Sequence, residues 1–150
     1  MTFVDPIDCP YYLVTRVSLA VTSALKAGFA AANVERVRPA YLGVLFYLWQ
    51  TEGLKVVELG RKAGLEPSTM TGLLDRMERD GLVVRSPDPD DRRAQLIFLT
   101  EEGRRARVPV TDVVNHTLSQ VFENTADKDL THLKRTLRQV LANLHEGSES

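Results

Sequence analysis

Between Pro67 and Gly81 the chain carries hydroxyls, a glycine and guanidinium groups at helical spacing. At 100° per residue, Met70, Leu73, Leu74 and Met77 form an apolar stripe. Ser68, Gly72, Asp75 and Arg79 fall opposite it, with Thr71 and Arg76 on the two flanks. A glycine among small hydroxylated residues lets a helix come close to another molecule. Ser and Thr can donate or accept hydrogen bonds at base edges, and Arg76 can reach a guanine edge or a phosphate. Farther along, Asp91, Arg92 and Arg93 close the turn-prone polar run Pro87–Arg93, where no core requires charge. An arginine carried on a thin loop suits the narrow, negative minor groove of a duplex, and Asp91 is placed to hold the Arg93 guanidinium extended. The alternative for both sets is an ordinary solvated surface.

Other chemistries find little support. His116, His132 and His145 lack metal-ligand spacing, and there is no G-x-S-x-G or glycine-rich phosphate loop. Read as a calcium loop, Asp88, Asp90 and Asp91 would put Arg93 where Gly is needed and Leu99 where Glu is needed. The residues therefore predict neither catalysis, nor a metal, nor a cofactor. Of 150 residues, 43% are apolar and 26% charged, which fits one ordinary soluble domain or slightly more. With 19 Lys and Arg against 20 Asp and Glu, a polybasic tail binder is excluded but a local basic patch is not. Residues 54–107 hold 11 of the basic groups and 10 of the acids. Any preference for nucleic acid must thus come from arrangement: Arg61 and Lys62, Arg76 and Arg79, Arg85, then Arg92 and Arg93. Cys9 is the single cysteine and cannot form an intrachain disulfide, which fits a reducing cytoplasm. No uncharged apolar run of about 18 residues is present, so no membrane partner is expected.

The elements that must position these groups read as mainly helical. An apolar helix over 11–32 has charge only at Arg16 and Lys26, as expected of a helix covered on most sides. A second helix starts near Pro39 and closes at Glu52-Gly53. Two short helices follow, over 55–63 and from Pro67 to Gly81, joined at Gly64. Segments 82–84 and 94–99 then read as a β-hairpin with a charged tip. Thr100 is a plausible N-cap for the next helix, which should bend at Pro109. The last helix, over 128–145, spaces Leu130, Leu133, Leu137, Val140 and Leu144 as a coiled-coil-like seam. The tail 147–150 reads as disordered. Two short helices and a hairpin make a winged helix-turn-helix, and the apolar terminal helices predict a homodimer interface.

The run "VVELGRKAGLEPSTMTGLLDRMERDGLVVRSPDPDDRRAQLIFLTEEGR" closely resembles the MarR (multiple antibiotic resistance regulator) family, including the Asp-x-Arg of Asp91 and Arg93 and the Leu-Thr-Glu-x-Gly of Leu99–Gly103. The resemblance implies one MarR-type domain over 1–150. Dimerisation helices would span about 10–35 and 104–146, with a winged helix-turn-helix at about 38–103. It implies a cytoplasmic regulator, a repressor or an activator, whose homodimer binds a palindromic operator in double-stranded DNA. Ser68, Thr69, Thr71, Gly72 and Arg76 fall where the family reads the major groove, although the helical wheel puts Thr69 nearer the core. Arg93 falls where the wing enters the minor groove, braced by Asp91; Lys62, Arg79 and Arg92 complete the expected DNA-binding set. The family commonly responds to a small aromatic or phenolic anion, for which Tyr11, Tyr12, Arg16, Phe46, Tyr47 and Trp49 are candidate pocket walls; core packing is the alternative for each aromatic. Other members sense oxidation through a cysteine near the position of Cys9. A winged-helix module that binds protein is the alternative from another class, and a steep salt dependence would exclude it.

Overall fold

A computed structural model describes residues 3–146; the tail expected to be disordered lies outside them. The order is α1 (Pro10–Ala31), a 3-10 turn (Pro39–Tyr41), α2 (Leu42–Leu48), β1 (Leu54–Lys55), α3 (Val56–Ala63), α4 (Pro67–Arg79), β2 (Val83–Asp88), β3 (Asp91–Leu99), α5 (Glu101–Arg105), α6 (Arg107–Val121) and α7 (Asp127–Glu146). Mostly helical, with one small antiparallel sheet ordered β1-β3-β2, it is a winged helix-turn-helix architecture. The described residues divide into two compact units, one ending at Thr117 and the other starting at Leu118.

In the first unit the core gathers around Phe29, Tyr41, Leu45, Leu59, Met77 and Ile97, all buried. The apolar stripe of α4 lies wholly in it, since Met70, Leu73, Leu74 and Met77 are each buried. Helices α3 and α4 meet through Gly64, whose φ of 69° is the left-handed conformation that glycine adopts without penalty. Gly60 keeps the pair close: a Cβ there would lie 3.0 Å from Met70 Cγ.

The wing departs from the sequence reading. Its strands are longer than 82–84 and 94–99, and only Pro89 and Asp90 form the turn. Pro87 does not stop β2, because β2 is an edge strand and a missing N–H costs little there. Arg92 and Arg93 therefore stand at the start of β3 instead of on a loop tip. The two-residue strand β1, which pairs Leu54 with Ile97 and Lys55 with Leu96, was not expected. At the tip, Asp88 accepts the Asp90 N–H at 2.9 Å, and Lys55 Nζ stands 3.5 Å from its carboxylate.

The base of the wing is tied at several points. Glu52 accepts the Leu99 N–H at 2.8 Å and two Arg104 hydrogen bonds at 3.0 Å. Trp49 Nε1 donates to the Gly103 carbonyl at 2.9 Å. Thr100 is the expected N-cap, accepting the Gly103 N–H at 3.0 Å while its hydroxyl donates to the Gly81 carbonyl at 2.6 Å. Gly103 has no room for a side chain: a Cβ would lie 2.2 Å from the Leu82 carbonyl oxygen. The bend expected at Pro109 falls instead at Ala106, between α5 and α6. Pro109 then sits in the first turn of α6, where its absent N–H has no partner to lose.

Within one chain, helix α1 is not covered on most sides. Only Leu25 and Phe29 are buried, while Leu13, Val14, Val17 and Leu19 lie exposed. By length and composition alone α1 is long and apolar enough to cross a membrane, although Arg16 and Lys26 interrupt it. In the second unit α7 begins one residue earlier than expected. Its seam is present and bare, with Leu133, Leu137, Val140 and Leu144 exposed and Leu130 half-buried.

Two outcomes test this packing. Gly103→Ala must push α5 off the Leu82 carbonyl, so denaturant unfolding should show a loss of about 3 kcal/mol. The Arg104 hydrogen bonds, helped by the Leu99 N–H and opposed by partial burial, hold the Glu52 carboxyl below its usual range. A carboxyl depressed in the folded state stabilises above its unfolded pKa of about 4.3, and that contribution disappears as pH falls through the lower folded value. Thermal unfolding at pH 7 should find Glu52→Gln less stable than the parent, with the gap closing below about pH 4.

Candidate nucleic-acid interface

Helix α4 begins with Pro67 at its first position and no side-chain cap from Glu66. The N–H groups of Ser68 and Thr69 consequently have no acceptor within the helix, leaving a partial positive charge at that end. Ser68, Thr69, Thr71 and Arg76 are all exposed, and Gly72 is half-covered. Thr69 is exposed, so it does not lie toward the core where the helical wheel put it. The Thr71 hydroxyl donates to the Pro67 carbonyl at 3.1 Å, so its lone pairs remain free to accept. A Cβ on Gly72 would be 3.8 Å from an Arg76 guanidinium nitrogen, which shows Arg76 lying back along the helix over the glycine. Arg79 is exposed at the last position of α4.

Lys62, at the end of α3, stacks its ammonium 5.5 Å from the centre of the Tyr47 ring. On the wing, Asp91, Arg92 and Arg93 are exposed. The bracing differs from expectation: Asp91 Oδ1 accepts the backbone N–H of Arg93 at 3.0 Å and does not touch its guanidinium. A carboxylate two residues upstream more readily reaches the near backbone than the end of a long side chain. Asp91 thus shapes the start of β3 and leaves the Arg93 head free.

Charge pairing sorts the basic residues into two groups. Arg36, Arg38, Lys55, Arg85, Arg104 and Arg105 are ion-paired. Arg61, Lys62, Arg76, Arg79, Arg92 and Arg93 have no ion pair among the described residues. Arg85, grouped by sequence with the nucleic-acid set, instead turns onto α4 and contacts Asp75 and Glu78. The acids of α4 and its C-cap are engaged as well, because Asp80 accepts the Tyr41 hydroxyl at 2.6 Å and faces Arg38 at 3.6 Å. Burial, then the Asp80 hydrogen bond, pushes the Tyr41 phenol above its ordinary range, keeping it a donor.

The candidate ligand walls do not converge within one chain. Tyr12 and Arg16 pair on α1, with a 3.1 Å hydrogen bond and the guanidinium 5.7 Å from the ring centre, and Tyr11 stands exposed beside them. Phe46 and Trp49 form a tilted ring pair 6.0 Å apart at the end of α2. Of five clefts with volumes of about 250–480 Å³, one is lined by any of the six residues: Trp49, with Glu52, Arg104 and Arg107. The Cys9 thiol, half-buried at the N-cap of α1, makes no hydrogen bond or ion pair among the described residues. No cluster of metal-ligating side chains occurs among those residues either.

The family model for the MarR family matches residues 39–94, from the 3-10 turn to the start of β3. The organic hydroperoxide resistance transcriptional regulator of Bacillus subtilis (strain 168) is 35% identical over 108 residues, covering 72% of this chain and 71% of the relative. The chain belongs to the MarR family. It is a winged helix-turn-helix, DNA-binding transcriptional regulator. Among solved structures, CouR from Rhodococcus jostii RHA1, bound to p-coumaroyl-CoA, superposes with a TM-score of 0.76 at 29% identity, covering 91% of this chain and 94% of that one. PcaV from Streptomyces coelicolor, in complex with its natural ligand, gives a TM-score of 0.81 at 25% identity, covering 95% and 98%. What sequence reasoning missed is the inward use of Arg85; two carboxylates at i and i+3 of α4, with a basic residue in the strand that follows, were the available signal.

Proposed function

We propose that this MarR-family regulator acts in the cytoplasm as a homodimer that reads a palindromic operator and releases it on binding a small aromatic anion. Ser68, Thr69, Thr71, Gly72 and Arg76 enter the major groove. Arg92 and Arg93 reach the adjacent minor groove, while Lys62 and Arg79 contact phosphates and Asp91 fixes the start of β3. The observation that carries this reading is the charge sorting: the acids of α4 are held by scaffold cations, whereas Arg61, Lys62, Arg76, Arg79, Arg92 and Arg93 are left unpaired. Cations left without partners beside small hydroxylated residues suit a polyanion with readable edges.

The homodimer is supported by the bare apolar faces of α1 and, separately, of α7. Exposed apolar surface of that extent favours burial against another chain, and a second copy supplies the same faces. The aromatic-anion reading rests on the ligand in the name of the CouR complex and on the Tyr12–Arg16 pair, which offers a ring and a cation together. Since the six candidate walls do not meet in one chain, a complete pocket would need the second copy.

Arg76→Ala and Arg93→Ala should each weaken operator binding by about 1–3 kcal/mol per half-site in fluorescence anisotropy. Parent-like affinity in both variants would refute the docking. Leu133→Glu combined with Leu137→Glu places charge in the α7 seam. Sedimentation should show the parent at twice the chain mass and the double variant as a monomer; a parent that sediments as a monomer would refute the assembly.

A further inference from the structure

Arg85 of β2 is mostly covered, with its side chain 23% exposed, and it faces two carboxylates of α4. One terminal nitrogen lies 2.5 Å from Asp75 Oδ1. Its Nε is closed off from solvent without a hydrogen-bond partner and stands 3.8 Å from a Glu78 carboxylate oxygen. A guanidinium enclosed this way is not a spare surface charge, because covering a cation is costly unless opposite charge faces it.

Where the carboxylates stand gives this arrangement its consequence. Asp75 lies on the stripe of α4 that carries Ser68, Gly72 and Arg79, and its side chain remains 61% exposed. A carboxylate there, unopposed, would repel the phosphates that the same stripe is read to approach. Glu78, one turn on, adds a second negative charge 49% exposed. Arg85 opposes both from the wing, so the helix presents Arg76 and Arg79 with its acids neutralised.

We infer that Arg85 is a positioning residue for DNA reading: it holds Asp75 and Glu78 against β2 and masks their charge, without touching the duplex itself. This rests on the DNA reading given above. It differs from a direct contact in one measurable respect. A masking arginine becomes dispensable once the acids are gone, whereas an arginine that touches DNA does not.

The test uses the 150-residue chain and a fluorescein-labelled duplex of about 30 base pairs from upstream of its own gene. Anisotropy gives the affinity, and circular dichroism checks that each variant keeps parent-like helicity and unfolding. Arg85→Met should weaken binding about ten-fold. The triple variant D75N/E78Q/R85M should bind within about two-fold of the double variant D75N/E78Q, since nothing is left to mask. That second comparison stands even where Arg85→Met alone folds poorly, because the triple variant leaves neither carboxylate unopposed. In the triple background Arg93→Ala should still lose affinity, which shows that the neutralised helix remains sensitive to genuine contacts. A triple variant about ten-fold weaker than the double would overturn the inference and make Arg85 a DNA contact. Equal binding by the parent and a folded Arg85→Met would overturn it too. If the parent itself binds no duplex, the DNA reading fails first and the inference falls with it.

Discussion

The acids of α4 and its C-cap are opposed by cations from outside the helix: Asp75 and Glu78 by Arg85, and Asp80 by Arg38. On this pairing the proposed DNA-reading surface depends. Residues 54–107 are close to neutral, and a neutral segment gives a polyanion no reason to prefer it. With Asp75, Glu78, Asp80 and Asp88 paired inside the scaffold, six of the seven cations of this segment that have no ion pair among the described residues lie on the end of α3, on α4 and at the start of β3, Arg107 being the seventh. Charge placement, rather than charge total, makes the winged unit suited to a duplex.

The same economy governs the wing. Its tip is a two-residue turn with Asp88 folded under it, and its base is fixed by Glu52, Thr100 and the close approach of Gly103 to Leu82. A hairpin tied at both ends needs no bulky core of its own. The Leu-Thr-Glu-x-Gly motif thereby acquires a physical meaning in this chain. Thr100 caps α5, and Gly103 is the residue that lets α5 lie against the Leu82 carbonyl.

Much of this was legible in the residues alone. The Met70, Leu73, Leu74, Met77 stripe fixed the orientation of α4, because burial follows helical period. Thr100 announced a cap through its side-chain hydroxyl, and Gly64 a turn through its backbone freedom. The reading failed where tertiary context outweighs local signal. Pro87 looks like a strand breaker until β2 is known to be an edge, and two residues of β1 are too few to show alternation. Asp91 and Arg85 were misjudged for a related reason: a charged side chain does not disclose in sequence whether its partner is solvent, backbone or a distant carboxylate. The exposed length of α1 is a different matter: its charge-poor composition implied a cover, and one chain alone does not supply it.

The most direct test of the charge-sorting account is the salt dependence of duplex binding by the unmodified chain. With six unpaired cations on α3, α4 and the start of β3 in each copy, the logarithm of the binding constant should fall linearly with the logarithm of salt concentration, with a slope steeper than about −4. A slope near zero would contradict the account, because contacts made without those cations release no counterions.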